Sequence, residues 1–130
     1  MFASSSGSEH RAGAIRFVHE TDDIVAVCLE GDFDLANAPA LGDQIDRALD
    51  TGNDLILDLS EATFIDSSVI NVLVQASKTA SGREQAMVLQ LGTATIVERA
   101  LELVRIEQVL PRAHDRQEAV QIIQGRREIG

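Results

Sequence analysis

The chain has 130 residues, of which 45% are hydrophobic and 25% charged, and this predicts one globular domain with a core of its own. Its 21 acidic and 11 basic residues give a formal net charge of −10, and no stripe of Lys and Arg follows the chain, so we expect no direct contact with nucleic acid. No apolar run approaches the roughly 18 residues of a membrane-spanning helix, and the first residues lack the features of a secretion signal, so we expect a cytoplasmic protein without membrane insertion.

The start of the chain predicts a polar tail followed by a β-hairpin. Residues 1–12 are small and polar without periodicity, which is typical of a flexible tail, and we expect the folded domain to span residues 13–126. Ile15–Val18 and Ile24–Leu29 are β-prone runs separated by turn-forming residues, which indicates two paired strands. Gly31 is expected to end the second strand.

Helical and strand patterns then alternate. Pro39 precedes apolar residues at helical spacing, which predicts a first helix. Leu55–Leu59 is a short apolar run between turn residues and predicts an interior strand. The apolar residues of 69–76 fit either a strand or a buried helix by their periodicity, although Asp66 just upstream offers a capping oxygen and Gly82 a helix stop.

The second half of the chain continues the alternation. Ala86–Leu91 predicts a strand, and Thr95 with Glu98 matches the capping box that opens a helix. The dipeptide Val109-Leu110 is expected to close the sheet, because Pro111 cannot continue it.

A last amphipathic helix is predicted after Asp115 and Glu118, ending near Gly125. Strands that alternate with helices after an initial hairpin indicate the α/β class. We therefore expect a single domain with a mixed sheet of about five strands and about four helices packed on it.

The most distinctive stretch lies before residues 69–76, where an acid and two hydroxyls interrupt an apolar run. It consists of Asp66, Ser67, Ser68 and Val69 and puts Ser67 where a helix should begin. Backbone N–H groups at a helix start have no partner within the helix, and the helix dipole makes that end partly positive. A phosphate on Ser67 would be tolerated there, which makes this stretch suitable for a switch.

These residues resemble the STAS family, the sulfate transporter and anti-sigma factor antagonist domain. Asp66–Val69 is similar to its D-[ST]-[ST]-G signature, and Gly31–Asp34 is similar to its G-[ED]-[LF]-D turn. The likeness covers roughly residues 14 to 125 and implies the STAS fold, in which residues 69–76 form a helix.

The resemblance also implies a function, that of an anti-sigma factor antagonist regulating transcription. Its partner would be an ATP-binding anti-sigma factor kinase, which binds the unphosphorylated protein, phosphorylates Ser67 and then lets go. Phosphorylation would add about 1.5 to 2 negative charges at neutral pH, and Ser68 is the less favoured acceptor. The residues expected to bind the partner are Asp32, Asp34, Asp66, Ser67, Ser68 and Val69.

Three other interpretations stay open. Asp66 and Ser67 could merely cap a helix, a contribution of about 1 kcal/mol. Val69 stands where the family usually has Gly, and its isopropyl group could block or suit a partner, so a STAS interaction module without phosphorylation, inside a larger signalling or transport assembly, is the alternative. A small-molecule or nucleotide-binding module is the third, although no pocket signature supports it.

Catalysis by the chain finds little support in the sequence. His10, His19 and His114 are scattered without metal-ligand spacing, and no nucleophile elbow or phosphate-binding loop is present. The single cysteine, Cys28, lies in an apolar run and is expected to be a buried thiol. We therefore expect no metal, no cofactor and no enzymatic activity, and the sequence leaves self-association open.

Overall fold

The computed structural model describes residues 12–92, 97, 100–102, 105–106 and 110–129. Its five strands are Ala14–His19 (β1), Ile24–Phe33 (β2), Asp54–Ile65 (β3), Met87–Gln90 (β4) and Arg112–Ala113 (β5). They form one sheet in the order β1-β2-β3-β4-β5, in which β1 is antiparallel to β2 and all later pairs are parallel.

The helices that pack on this sheet are Ala38–Asp50 (α1), Ser67–Gly82 (α2) and Arg116–Ile129 (α3). Helical residues are also described at Val97 and 100–102, between β4 and β5. The predicted mixed α/β fold is confirmed, and so is the helical reading of residues 69–76. None of the described helices is long and apolar enough to cross a membrane.

The sheet has a large aliphatic core on one face and a smaller one on the other. α1 and α2 cover the first face, where the apolar residues predicted for the first helix, Leu41, Ile45 and Leu49, are buried. Aliphatic side chains of alternate residues in β2 and β3 complete this core. α3 covers the second face, which buries fewer residues, among them Ala26 and Cys28.

Cys28 is a buried thiol, as the sequence predicts, with only 2% of its surface exposed. Burial is the main cause that raises the pKa of this thiol above its ordinary value, and the negative charge of Asp58 adds to the effect. A thiol with a raised pKa is a poor nucleophile at neutral pH, so its role is to fill the core.

β2 and β3 both extend beyond the point at which β4 stops. β3 pairs with β4 only as far as Asp58, but it pairs with β2 as far as Ile65. Gly31 was expected to end β2, but the strand continues through it to Phe33, with a register shift directly after the glycine. Gly31 adopts a φ of 90°, which glycine takes up without strain, so it forms a bulge rather than a stop.

Two predictions for the C-terminal part are wrong. The closing strand β5 follows Pro111 instead of preceding it, and Leu110 is a buried bend. Pro111 lacks an N–H but its carbonyl accepts from Leu89 of β4 at 2.9 Å, so the proline leads into the sheet. α3 continues beyond Gly125 to Ile129, because a single glycine costs a helix only about 1 kcal/mol.

Some predictions fall on residues that are not described. The capping box of Thr95 and Glu98 lies outside the described residues, as do Val109 and residues 1–11. The division into a tail of residues 1–12 and a domain of residues 13–126 therefore stays a prediction.

Candidate functional site

The site is built around the start of α2, which Asp66 caps. Asp66 has an extended backbone, and its Oδ1 accepts hydrogen bonds from the N–H groups of Ser68 at 3.0 Å and Val69 at 3.2 Å. These are two of the N–H groups that a helix start leaves without a partner inside the helix. The predicted capping role of Asp66 is therefore confirmed.

The Asp66 carboxylate is stabilised in its charged form. Partial burial opposes ionisation, but hydrogen bonds from the Ser68 hydroxyl and from the N–H groups of Val69 and Ser68, together with the nearby Leu35 N–H, outweigh it and lower the pKa of Asp66. The carboxylate thus stays negative at neutral pH, directly beside Ser67.

The two serines of the motif have different environments. Ser67 is the first residue of α2 and is exposed, and its hydroxyl has no hydrogen-bond partner among the residues that the structure describes. Ser68 is half-buried, and its hydroxyl donates to the Asp66 carboxylate at 2.5 Å. The hydroxyl of Ser67 is therefore the more accessible of the two.

The turn between β2 and α1 lies against the same helix start. Asp34 accepts from the N–H of Ala36 at 2.9 Å, and the N–H of Asp34 donates to the side chain of Asn37 at 2.7 Å, so the turn is fixed from within. The N–H of Leu35 favours the charged form of the Asp66 carboxylate, which indicates that the turn lies near the start of α2. Asp34 and Ser67 therefore lie on the same side of the domain.

Asp32 lies at the same end of the sheet, on the extension of β2. Its carboxylate accepts a hydrogen bond from the hydroxyl of Thr63, and its backbone lies opposite Phe64 of β3. Asn37 also donates to the Asp32 carbonyl at 3.0 Å, which connects the strand end to the turn. The acids at positions 32, 34 and 66 thus share one end of the sheet.

Val69 does not lie on this surface. Its side chain is completely buried and belongs to the main core. The expectation that its isopropyl group blocks or suits a partner is therefore corrected, because that group points to the sheet and has no surface to offer. Replacing the family's usual Gly with Val here changes the packing under α2 rather than the exposed face.

Two exposed apolar side chains near this site were missed by the sequence analysis. Leu35 is 73% exposed at the tip of the turn, and Phe64 is 41% exposed near the end of β3. Leu35 could have been found as an apolar residue between a predicted strand and a predicted helix, outside either periodicity. Together with Asp34, Asp66 and Ser67 these side chains form what we call the switch surface.

Buried charges on the α3 face were missed as well. Asp58 is 6% exposed and pairs with Arg116 of α3 at 2.5 Å, and Asp54 is 1% exposed and pairs with Arg127 at 2.7 Å. Arg116 also binds Glu20, so it connects the β1–β2 turn to the centre of the sheet. No local signal marks these acids as buried, because their partners lie far along the chain.

The pKa of Asp58 is lowered in spite of its burial. Desolvation favours the neutral acid, but hydrogen bonds from the hydroxyl and N–H of Ser60, followed by the bond and charge of Arg116, favour the carboxylate more strongly. These hydrogen bonds occupy both carboxylate oxygens of Asp58, so neither oxygen is available to bind a ligand. Among the described residues, no group of three or more His, Cys, Asp or Glu side chains could hold a metal ion.

A cleft of about 600 Å³ lies at the opposite end of β3 from Ser67. Asp23, Asp54 and Arg127 contribute its charged groups, and Arg127 is already held by Asp54 through two hydrogen bonds. The cleft therefore offers a ligand little charge that is not already paired, and it gives the small-molecule interpretation no specific support.

Comparisons with known proteins agree on one fold. The family model of the STAS domain matches residues 17–119. An anti-sigma factor antagonist from Mycobacterium paratuberculosis is 20% identical, with a TM-score of 0.77, and the match covers 85% of this chain and 95% of that one. A putative anti-sigma factor antagonist from Thermotoga maritima is 23% identical, with a TM-score of 0.69 and coverages of 86% and 94%.

The phosphorylated form of SpoIIAA, a cell fate determinant from Bacillus, is 16% identical, with a TM-score of 0.64, and the match covers 85% of this chain and 99% of that one. At 16 to 23% identity, these similarities establish a common fold. No curated protein matches the sequence.

Proposed function

The chain belongs to the STAS domain family, and from this premise we propose that it is an anti-sigma factor antagonist. It acts in the cytoplasm by binding an ATP-binding anti-sigma factor kinase, and phosphorylation of Ser67 switches this binding off. The protein is a binder and a phosphate acceptor rather than an enzyme. It regulates transcription through contacts between proteins, in keeping with an acidic chain that has no basic stripe.

The observation that carries this proposal is the position of the Ser67 hydroxyl. It is exposed at the first position of a 16-residue helix, next to a carboxylate that already occupies the neighbouring N–H groups. Ser68, by contrast, has its hydroxyl bonded to that carboxylate. Of the two serines of the motif, a kinase therefore finds only Ser67 accessible, and the helix stays capped while that hydroxyl is modified.

The same geometry explains how a phosphate would weaken binding. Asp66 holds its charge at neutral pH, so about 1.5 to 2 further negative charges on Ser67 would stand directly beside it. The Ser68 and Val69 N–H groups, which could otherwise receive the phosphate, are bonded to Asp66. The added phosphate would thus remain exposed on the switch surface, where its bulk and its desolvation penalty oppose close contact with a partner, even one with basic groups at the edge.

The chemistry of the switch surface indicates what a partner must offer. Leu35 projects an apolar side chain, while Asp34 and Asp66 surround it with negative charge. A complementary protein surface has an apolar depression edged by Lys or Arg, since buried apolar anchors supply affinity and opposite charges supply orientation.

One observation favours the alternative, a STAS interaction module without a phosphate switch. Asp66 caps α2 through Ser68 and Val69, so the acid and one serine of the motif have a complete structural role. Under this alternative the switch surface binds a partner constitutively, in a signalling or transport assembly.

A pull-down from lysate of the native host distinguishes the two functions. Wild-type, Ser67→Ala and Ser67→Glu proteins serve as baits, and mass spectrometry identifies what they capture. Ser81→Glu is the matched control, because it adds one negative charge to an exposed serine at the other end of α2. We expect wild-type, Ser67→Ala and Ser81→Glu to capture an ATP-binding kinase and Ser67→Glu to lose it. If all four proteins capture the same partners equally well, the alternative function, an interaction module without a phosphate switch, is the one that remains.

A further inference from the structure

We propose that the edge of β1 with which no described strand pairs binds the β1 of a second copy, so that two chains form a symmetric dimer with one continuous sheet. β1 is the first strand in the sheet order, and β2 is its only neighbour among the described strands. An edge strand presents a row of N–H and C=O groups that can pair with another chain. This dimer goes beyond the proposed function, because none of the residues of the switch surface lies on β1.

The hairpin shows which backbone groups are available. The N–H of Glu20 donates to the carbonyl of Ile24 at 3.0 Å, so position 20 faces β2. Backbone groups in an antiparallel ladder alternate in direction, so the even-numbered residues of β1 also face β2. Ile15, Phe17 and His19 therefore direct their N–H and C=O groups to the outer edge.

Two-fold symmetry then selects the register. If the axis passes beside Phe17, that residue pairs with Phe17 of the second copy, and Ile15 pairs with His19 in both directions. All three outward-facing residues of each strand are then used, which is the largest number that the strand allows. An axis beside Arg16 would use fewer of them and would put two guanidinium groups opposite each other, which is unfavourable.

The side chains suit the same register. Phe17 is 42% exposed, and its partner across the hairpin, Val27, belongs to the main core, so the ring lies on the face that carries α1 and α2. Ile15 lies on this face too and packs against the core. The dimer would set the two Phe17 rings opposite each other between the two Ile15 side chains and thus continue the apolar face across the axis.

Electrostatic repulsion between the two copies comes from their net charge and not from residues on the paired edges. The edge itself carries Arg16 and His19 and no acid, and Arg16 pairs with Glu30 at 3.2 Å. In the selected register, Arg16 lies opposite Val18 of the second copy, so no like charges face each other. Each copy nevertheless has a formal charge of −10, and the mutual repulsion is screened by salt. Association should therefore strengthen as the salt concentration rises.

Sedimentation velocity of the full chain, over a range of concentrations at low and high salt, tests this dimer. Phe17→Glu is the disrupting variant, and Phe64→Glu is its matched control, because Phe64 is 41% exposed but lies outside β1. We expect wild type and Phe64→Glu to shift to dimer with concentration, and Phe17→Glu to stay monomeric while its circular dichroism is unchanged. A wild-type protein that stays monomeric throughout, or a Phe17→Glu protein that dimerises like wild type, would overturn the proposal.

Cross-linking tests the register even if Phe17→Glu fails to fold. Phe17→Cys should form an intermolecular disulfide on mild oxidation, because paired residues of antiparallel strands have Cα atoms about 4.5–5.5 Å apart, within the range of a disulfide. Asp22→Cys, in the exposed turn after β1, is the control and should cross-link much more slowly. The native Cys28 is buried and should not compete. Equal rates for the two variants would contradict the Phe17 register.

Discussion

The acidic residues of the α3 face and those of the switch surface have opposite roles. Asp54 and Asp58 are buried, and each is paired with an arginine of α3, so their negative charges are balanced inside the fold. Asp34 and Asp66 accept hydrogen bonds from backbone N–H groups beside solvent and keep their charges at the surface. The chain has 21 acids, and the group that donates to each carboxylate distinguishes two kinds among these four. Acids bonded to arginine side chains hold α3 on the sheet, whereas acids bonded to backbone N–H groups remain accessible to a partner.

The largest effect on stability is expected from breaking the α3 ion pair. Arg116→Met should lower the free energy of unfolding by about 3–5 kcal/mol, because it leaves the buried carboxylate of Asp58 without its positive partner. Urea denaturation measures the change. Arg83→Met is the matched control, since its pair with Asp50 has both side chains about half exposed, and it should cost less than about 1 kcal/mol. Equal losses for the two variants would remove the distinction between the two groups of acids.

Acid should weaken the α3 face by protonating Asp58. The pKa of Asp58 is lower in the folded chain than its ordinary value of 3.8, so its carboxylate contributes stability above that value, and this contribution is lost as the pH falls through the folded pKa. Wild-type unfolding free energy should therefore decline below about pH 4. Asp58→Asn should be less stable at neutral pH but decline less steeply in acid. A decline as steep as that of wild type would show that Asp58 does not cause it.

A smaller loss of stability is expected at the switch surface. Asp66→Ala removes the cap of α2 and should cost about 1 kcal/mol of folding free energy. It also removes a negative charge beside the Leu35 turn, so partner binding should weaken more than stability does. Asp66→Asn, which keeps an acceptor oxygen, should restore most of the stability. A loss as large as that of Arg116→Met would mean that Asp66 is part of the core structure.

The smallest change in stability is expected from Leu35→Ala, within about 0.5 kcal/mol, because the side chain is 73% exposed. Its effect on partner affinity should be large, about tenfold, if Leu35 is a buried anchor in the complex. Phe17→Ala removes an exposed apolar side chain far from Ser67 and should leave that affinity unchanged. Calorimetric titration with the captured kinase measures both affinities, and a similar effect of the two variants would contradict the assignment of the switch surface.

Local patterns were enough to predict the features that depend on neighbouring residues. The Asp66 cap, the helix after Pro39 and the hairpin of β1 and β2 each follow from residues within a few positions of one another. Two of the three errors in the elements arose where a distant strand decides the outcome. Gly31 continues β2 because β3 pairs with it, and Pro111 leads into β5 because β4 donates to its carbonyl.

The same limit applies to the site. Asp58 and Arg116 are 58 residues apart, so no window of the sequence marks them as a buried pair. Val69 was assigned to the surface from its place in the motif, whereas its position on α2 turns it to the core. Leu35 became visible as an anchor only when the structure placed its turn against Asp66.

Phosphorylation of the purified chain by its captured kinase tests the central claim most directly. The protein is incubated with the kinase and ATP, the modified residue is identified by mass spectrometry, and the kinase affinities of the modified and unmodified forms are compared. We predict phosphate on Ser67 alone, none on a Ser67→Ala variant, normal modification of Ser68→Ala, and weaker kinase binding after modification. Phosphate on another residue, or an unchanged affinity with Ser67 fully modified, would contradict the account.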